Sequence, residues 1–243
     1  MNLLTVHNLS KKFGEVTVIN KLNLIVNKGE FVTLLGPSGS GKSTIFNLIG
    51  GILEPDNGSI MLQGKEITGE RGNISYMPQS PSLLPWRTVL QNVILGQELQ
   101  GRKDLKKAEE MLVKAGLGSY IDAYPNELSG GMKQRVAFIR SLLSPQSVIC
   151  LDEPFSALDE ITRQDMQTWL LDIWKHYQKT ILFITHNIEE ALYLSDRIIV
   201  LSEKPARIKK EFTVPFPRPR NDVLLLEEEF LKWKKIIHYA LRE

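Results

Sequence analysis

The fold class this sequence predicts is α/β: a parallel-sheet core, a small antiparallel β part and an α-helical insertion at about 80–145. Three observations lead there. Short unbroken apolar runs at Phe31–Leu35, 147–151 and Thr180–Thr185 have the length and character of strands covered on both faces. Segments of helical periodicity lie between them, and strand–helix–strand alternation implies parallel pairing. The first of these runs also ends in a glycine-rich loop that opens directly into a helix.

Taken in chain order, Leu4 and Val6, then Leu22, Leu24 and Val26, alternate with polar residues at the period of a half-buried strand. Asn27-Lys28-Gly29-Glu30 is a turn. The glycine loop leads to a helix over 44–52, and strand-like pieces resume at 59–62 and 74–76. From about 88 to 143 the pattern is helical, with Leu105, Ala108, Met111, Leu112 and Ala115 on one face. A helix over 161–177 joins the second and third buried strands. Beyond Val200 come short strand candidates and the segment 214–220, too rich in proline for a helix. Asn221 or Asp222 then caps a tail helix over about 221–242, with Leu226, Phe230, Trp233, Ile237 and Leu241 at spacings of three and four. With no internal repeat or low-complexity tract, 1–243 reads as a single domain.

The bulk numbers exclude several classes. Hydrophobic residues make up 42% of the chain and charged residues 24%, which is ordinary for a soluble globular protein. A net charge of +2 is too small to suggest nucleic-acid binding, and none is expected. The lone Cys150 rules out an internal disulfide framework and sits where a buried strand is expected. No stretch approaches the roughly 18 apolar residues of a membrane span. The N-terminus reaches polar His7-Asn8 too soon for a signal peptide. The expectation is a cytoplasmic chain that acts at a membrane only through a partner.

The strongest chemical signal is the run Gly36, Pro37, Ser38, Gly39, Ser40, Gly41, Lys42, Ser43, Thr44, which fits the P-loop pattern G-x-x-x-x-G-K-[ST]. Glycines let backbone N–H groups converge on phosphate oxygens, and a helix N-terminus adds a favourable dipole. Lys42 is placed for the β- and γ-phosphates of ATP and Ser43 for Mg²⁺. The strand at 147–151 ends in Asp152 and Glu153. Asp152 suits a Mg²⁺ held through water, and Glu153 a general base for the attacking water.

Leu128-Ser129-Gly130-Gly131-Met132-Lys133-Gln134-Arg135 separates this chain from other P-loop enzymes. Here it resembles the ABC ATPases, whose signature this is. The resemblance implies that Ser129, Gly130 and Gly131 meet the γ-phosphate held by a second subunit; Ser129 read alone would equally be a helix N-cap. The family more often has Gln where Met132 stands. By the same resemblance Gln79 is a catalytic loop glutamine that also senses Mg²⁺, His186 a catalytic switch histidine, and Asp159 part of a loop that crosses a dimer interface. Phe13 falls where the family stacks an aromatic ring on adenine, though a hydrophobic hairpin residue is the alternative. His7, His176 and His238 have no comparable setting and read as surface or packing residues.

Leu83-Leu84-Pro85-Trp86 followed by Thr88-Val89 and Asn92-Val93 looks like the nitrate, sulfonate and taurine importer ATPases, a group that includes carriers of thiamine-precursor pyrimidines. Lys204-Pro205-Ala206-Arg207-Ile208 and Pro217-Arg218-Pro219-Arg220 resemble that group's ending. The resemblance implies a homodimer on the cytoplasmic face of the cell membrane, permease subunits that receive Trp86, and an extracytoplasmic solute-binding protein. Trp86 would also suit a core anchor. A non-transport ABC protein and an exporter subunit are the rival readings.

Overall fold

A computed structural model describes residues 1–242. Strands β1 (Asn2–Phe13) and β2 (Val16–Asn27) form an antiparallel hairpin, and β1 also pairs antiparallel with β4 (Asn57–Leu62), which carries the short β5 (Lys65–Glu66). These make a four-stranded sheet in the order β2-β1-β4-β5. The second sheet contains β3 (Phe31–Leu35), β6 (Ser75–Met77), β7 (Val148–Asp152), β8 (Thr180–Thr185), β9 (Arg197–Leu201) and β10 (Ile208–Thr213). Its order is β10-β9-β3-β8-β7-β6, parallel throughout except for β10.

The unbroken apolar runs become strands because this sheet is covered on both faces. Phe31, Leu35, Ile149, Leu151, Ile181 and Phe183 point into one core. Their neighbours Val32, Leu34, Val148, Cys150, Leu182 and Ile184 point into the other, against α1 (Lys42–Ile49) and the antiparallel sheet. The period of two thus assigns each strand residue to one core or the other. Helices α2 (Val89–Val93), α3 (Leu95–Glu98), α4 (Leu105–Lys114) and α5 (Gly130–Leu143) form the insertion between β6 and β7. After β7 come α6 (Glu160–Tyr177) and α7 (Ile188–Leu194), and α8 (Glu228–Arg242) closes the chain.

Three elements depart from expectation. Helix α1 starts at Lys42, two residues earlier than the apolar pattern suggests, and ends at Ile49. Gly51, at φ +69°, stops it: a Cβ there would lie 2.3 Å from the Glu70 carbonyl oxygen. In α4, Leu105 occupies the first turn and is exposed, while Ala108, Met111 and Leu112 are buried. At the tail, 222–226 is a separate 3₁₀ turn and Glu227 is extended, so the helix begins only at Glu228. The Asp222 carboxylate accepts from the Thr168 and Tyr193 hydroxyls at 3.3 Å each, rather than capping a helix. Leu226 is consequently 82% exposed, whereas Phe230 and Ile237 are buried. The lysines of α8 lie on a solvated face, with Lys234 paired to Glu189 of α7.

Arg220 explains why the proline-rich segment is ordered. Its buried guanidinium donates to the carbonyl oxygens of Phe216, Leu192, Tyr193 and Ser195, joining the tail to the end of α7.

Candidate active site

The two parallel pairings around β8 bring its neighbours flush. Leu35 lies opposite Thr185 and Asp152 opposite Ile184, so β3, β8 and β7 end at one level. The residues that leave these ends are the glycine loop, His186 and the Asp152-Glu153 pair. This is the carboxyl edge of an open parallel sheet, where α/β proteins place their ligands.

The loop at 36–44 curls around the end of β3. Gly41 sits at φ +106°, and a Cβ there would come 3.0 Å from a Val18 methyl, so glycine permits both the turn and the close packing. The first amides of α1 therefore open onto the loop. Lys42 lies along it, donating from Nζ to the carbonyl oxygens of Gly36 and Pro37 at 2.9 Å each. Glu153 Oε1 is 3.9 Å from the same Nζ. Burial lowers the Lys42 pKa, and the charges of Glu153 and Asp152 oppose that shift.

Asp152 is buried at the end of β7, and burial pushes its carboxyl above the ordinary range. Hydrogen bonds from Ser43 and Tyr76 act against the shift, the Tyr76 hydroxyl lying 3.1 Å from Oδ2. Glu153 stands at φ +44°, a region few side-chain-bearing residues adopt. Its amide donates to Ile184 O, and Oε2 lies 3.2 Å from His186 Nδ1. Gln79 Nε2 donates to Ser156 Oγ at 3.1 Å, and Ser156 Oγ donates to Glu153 O at 3.0 Å. Gln134 of α5 donates to the Gln79 carbonyl oxygen at 3.3 Å, so the helical insertion holds the Gln79 backbone directly.

A cavity of 390 Å³ opens between these groups, lined by the glycine loop, Gln79, Asp152, Glu153 and Lys204. The structure thus brings together Ser38, Gly39, Gly41, Lys42, Ser43, Thr44, Gln79, Asp152 and Glu153, with His186 joined through Glu153. It leaves other predicted positions outside. Ser129 caps α5, accepting from Met132 N at 3.3 Å, and Ser129 and Gly130 are exposed away from the cavity. Asp159 caps α6 through Thr162 N, and Phe13 is half exposed at the end of β1. Trp86 is 70% exposed, which excludes the core-anchor reading.

Two further residues reach the site without having been read as part of it: Tyr76, bonded to Asp152, and Lys204, which lines the cavity. Tyr76 acquires its role from the β6–β7 pairing, which sets it opposite Cys150. Lys204 arrives from a loop whose Ala206 exchanges backbone hydrogen bonds with Val18 and Asn20.

A buried lysine on a glycine loop, facing two strand-end carboxylates, suits a nucleoside triphosphate but does not define a family. The family described as "ABC transporter" matches residues 19–156, from β2 through the signature helix to the loop after Glu153. This chain belongs to the ABC transporter family. It is an ABC ATPase, with the P-loop fold of that family: a parallel-sheet core, an antiparallel β part and a helical insertion. Among curated relatives, the nitrate import ATP-binding protein of Synechocystis sp. is 42% identical over 95% of this chain and 90% of its own. The aliphatic sulfonates import ATP-binding protein of Bacillus cereus is 42% identical, over 87% and 85% respectively. Among solved structures, a dimeric ATP-binding cassette bound to ADP and Pi in a post-hydrolysis state is 31% identical, with a TM-score of 0.76 over 88% of this chain and 100% of that one. Among the described residues of the ABC ATPase, no helix is long and apolar enough to cross a membrane.

Proposed function

We propose that this ABC ATPase energises the uptake of a small solute, an anion of the nitrate, sulfonate or taurine kind or a thiamine-precursor pyrimidine. It does so as a pair of copies on the cytoplasmic face of a permease served by a solute-binding protein. The observation that carries the reading is the exposed Trp86 at the edge of the helical insertion. Its loop is held to the nucleotide cavity through Arg140, which donates to Pro81 O and Ser82 O from the same helix that grips Gln79. The import functions named for the nitrate and sulfonate relatives support the direction of transport.

The chemistry follows from the side chains. Triphosphate oxygens replace the Gly36 and Pro37 carbonyls as acceptors for Lys42 and gather the loop amides. Glu153 takes the proton of the attacking water, and an Nδ1–H of His186 orients the Glu153 carboxylate. Ser129, Gly130 and Gly131, which lie outside the cavity of their own chain, face the γ-phosphate of the partner copy, with Asp159 at the seam between copies. Phe13 offers its exposed ring face to adenine. The dimeric cassette bound to ADP and Pi supports this arrangement.

Ser43, Asp152 and the Gln79 amide oxygen are hard oxygen donors suited to Mg²⁺. Among the described residues no cluster of His, Cys, Asp and Glu could hold a metal unaided. Mg²⁺ held by those oxygen donors would supply positive charge against the phosphates.

The test is to recover the subunit from gently solubilised membranes. A co-purifying permease, with a solute-binding protein whose ligand is an oxyanion, a sulfonate or a pyrimidine, is the expected result. A soluble nucleic-acid or ribosomal partner with no permease overturns the transport reading.

A further inference from the structure

The loop that carries His186 and the loop that carries Asp159 leave the ends of different strands, yet one pair of side chains touches both. Arg163 lies in the first turn of α6. Its Nη2 donates to Leu158 O at 2.9 Å, beside Asp159, and its Nη1 to Glu160 Oε2 at 3.2 Å. Nε is buried without a hydrogen-bond partner and lies 3.9 Å from Glu190 Oε1. The other Glu190 oxygen accepts from Thr185 Oγ1 at 2.5 Å, and that hydroxyl accepts in turn from Asn187 N at 3.0 Å. Glu190 therefore holds the residues on either side of His186, while Arg163 holds the residue before Asp159.

We propose that Arg163 and Glu190 are positioning residues: a partly buried link that sets the Asp159 loop and His186 in mutual register for hydrolysis. The proposal rests on the roles assigned to Asp159 and His186 above. Stability alone does not call for such a pair, since apolar groups of similar volume usually fill a buried site at equal or lower free energy. An apolar pair cannot hold a hydroxyl beside His186 and a carbonyl beside Asp159 together. Burial raises the Glu190 pKa, while Thr185 and the Arg163 charge oppose the shift. The 3.9 Å gap is wider than a hydrogen bond by about 1 Å, so a small movement of α6 toward α7 closes it. The link then tightens when the Asp159 loop meets the partner copy, which passes the state of the seam to His186.

The experiment measures ATP hydrolysis by the full chain carrying Arg163→Lys, Glu190→Gln or both, with His186→Ala as reference. Rates are expressed per nucleotide site titrated in the same sample, so unfolded protein does not register. Lysine retains the charge but cannot serve Leu158 and Glu190 together, and glutamine still accepts from Thr185. Each single variant is expected to lose about tenfold in kcat with KM for ATP within about twofold, the pattern of an interaction made in the transition state. The double variant is expected to lose no more than the worse single one. Single variants within about twofold of the parent, or losses that multiply in the double variant, overturn the link. A parental rate in His186→Ala would overturn the underlying site reading instead.

Discussion

Glu153 occupies a left-handed backbone conformation between a buried carboxylate and a histidine, at a point where three strands end. Strain of this kind persists only where surrounding structure over-determines it, and here Ile184 O holds the amide and His186 the carboxylate. Glu153→Gln keeps shape and one acceptor but cannot take a proton. It is expected to bind a fluorescent ATP analogue with near-parental affinity while turnover falls by about 10³-fold or more, and to run as an ATP-stabilised dimer in size-exclusion chromatography. Asp152 gives a different signature. Because burial raises its folded pKa above that of an ordinary aspartate, its contribution to stability is fully present below the ordinary range and is lost as pH rises through the raised one. Ionising this carboxylate therefore destabilises the fold. Asp152→Asn, which still accepts from Tyr76, should melt higher than the parent at pH 7 by calorimetry and lose that advantage at acid pH, while its hydrolysis collapses.

Helices and strands differ in how openly the sequence announces them. The buried strands were readable because runs of five or six residues, four of them apolar, between turn signals admit few other structures. The glycine loop was readable because its chemistry is local. Starts of helices were less so, since Asp222, a sound cap by composition, spends its carboxylate on hydroxyls of two distant elements. The same limit hid Tyr76, Lys204 and the Arg163–Glu190 pair, whose partners are set by strand order. At α5 two roles coincide: Ser129 caps the helix and is also proposed to meet a partner's nucleotide. Ser129→Ala would lose the cap, about 1 kcal/mol. Ser129→Arg adds bulk and charge at the seam, and is expected to bind ATP normally but fail to dimerise in the Glu153→Gln background; normal dimerisation would rule out the shared site. At α7 the Arg220 cage ties four carbonyls to one cation, whose pKa burial lowers to about 10. Arg220→Met leaves those acceptors without a donor and should cost about 2–4 kcal/mol in urea unfolding.

For the whole molecule, the helical insertion joins the nucleotide cavity to the loop of Trp86, the proposed permease contact. Gln134 and Arg140 lie on one helix, the first bonded to the Gln79 backbone and the second to the loop leading to Trp86. One helix thus contacts both the cavity loop and the loop of the exposed tryptophan. Trp86→Ala is expected to lower recovery of the permease in pull-down by about tenfold, a loss typical of an aromatic interface anchor; undiminished recovery would remove Trp86 from the contact.

The flush ends of β3, β8 and β7 carry one more consequence. Neighbouring strands stand about 4.8 Å apart and a residue advances a strand by about 3.3 Å, so the sheet works as a ruler for the groups proposed to act on ATP. Lateral distances among Lys42, His186 and Glu153 are fixed by backbone ladders that no surface loop can stretch. A two-residue slip of β8 would keep every side chain on its proper face, yet carry His186 about 7 Å along the strand axis and out of reach of Glu153. Lengthening the connection before β8 is then harmless to chemistry only while the ladder reseats in its original register. The helices that touch this edge, α1 through Lys42 and α7 through the Glu190 contact to Thr185, are bound by the same ruler.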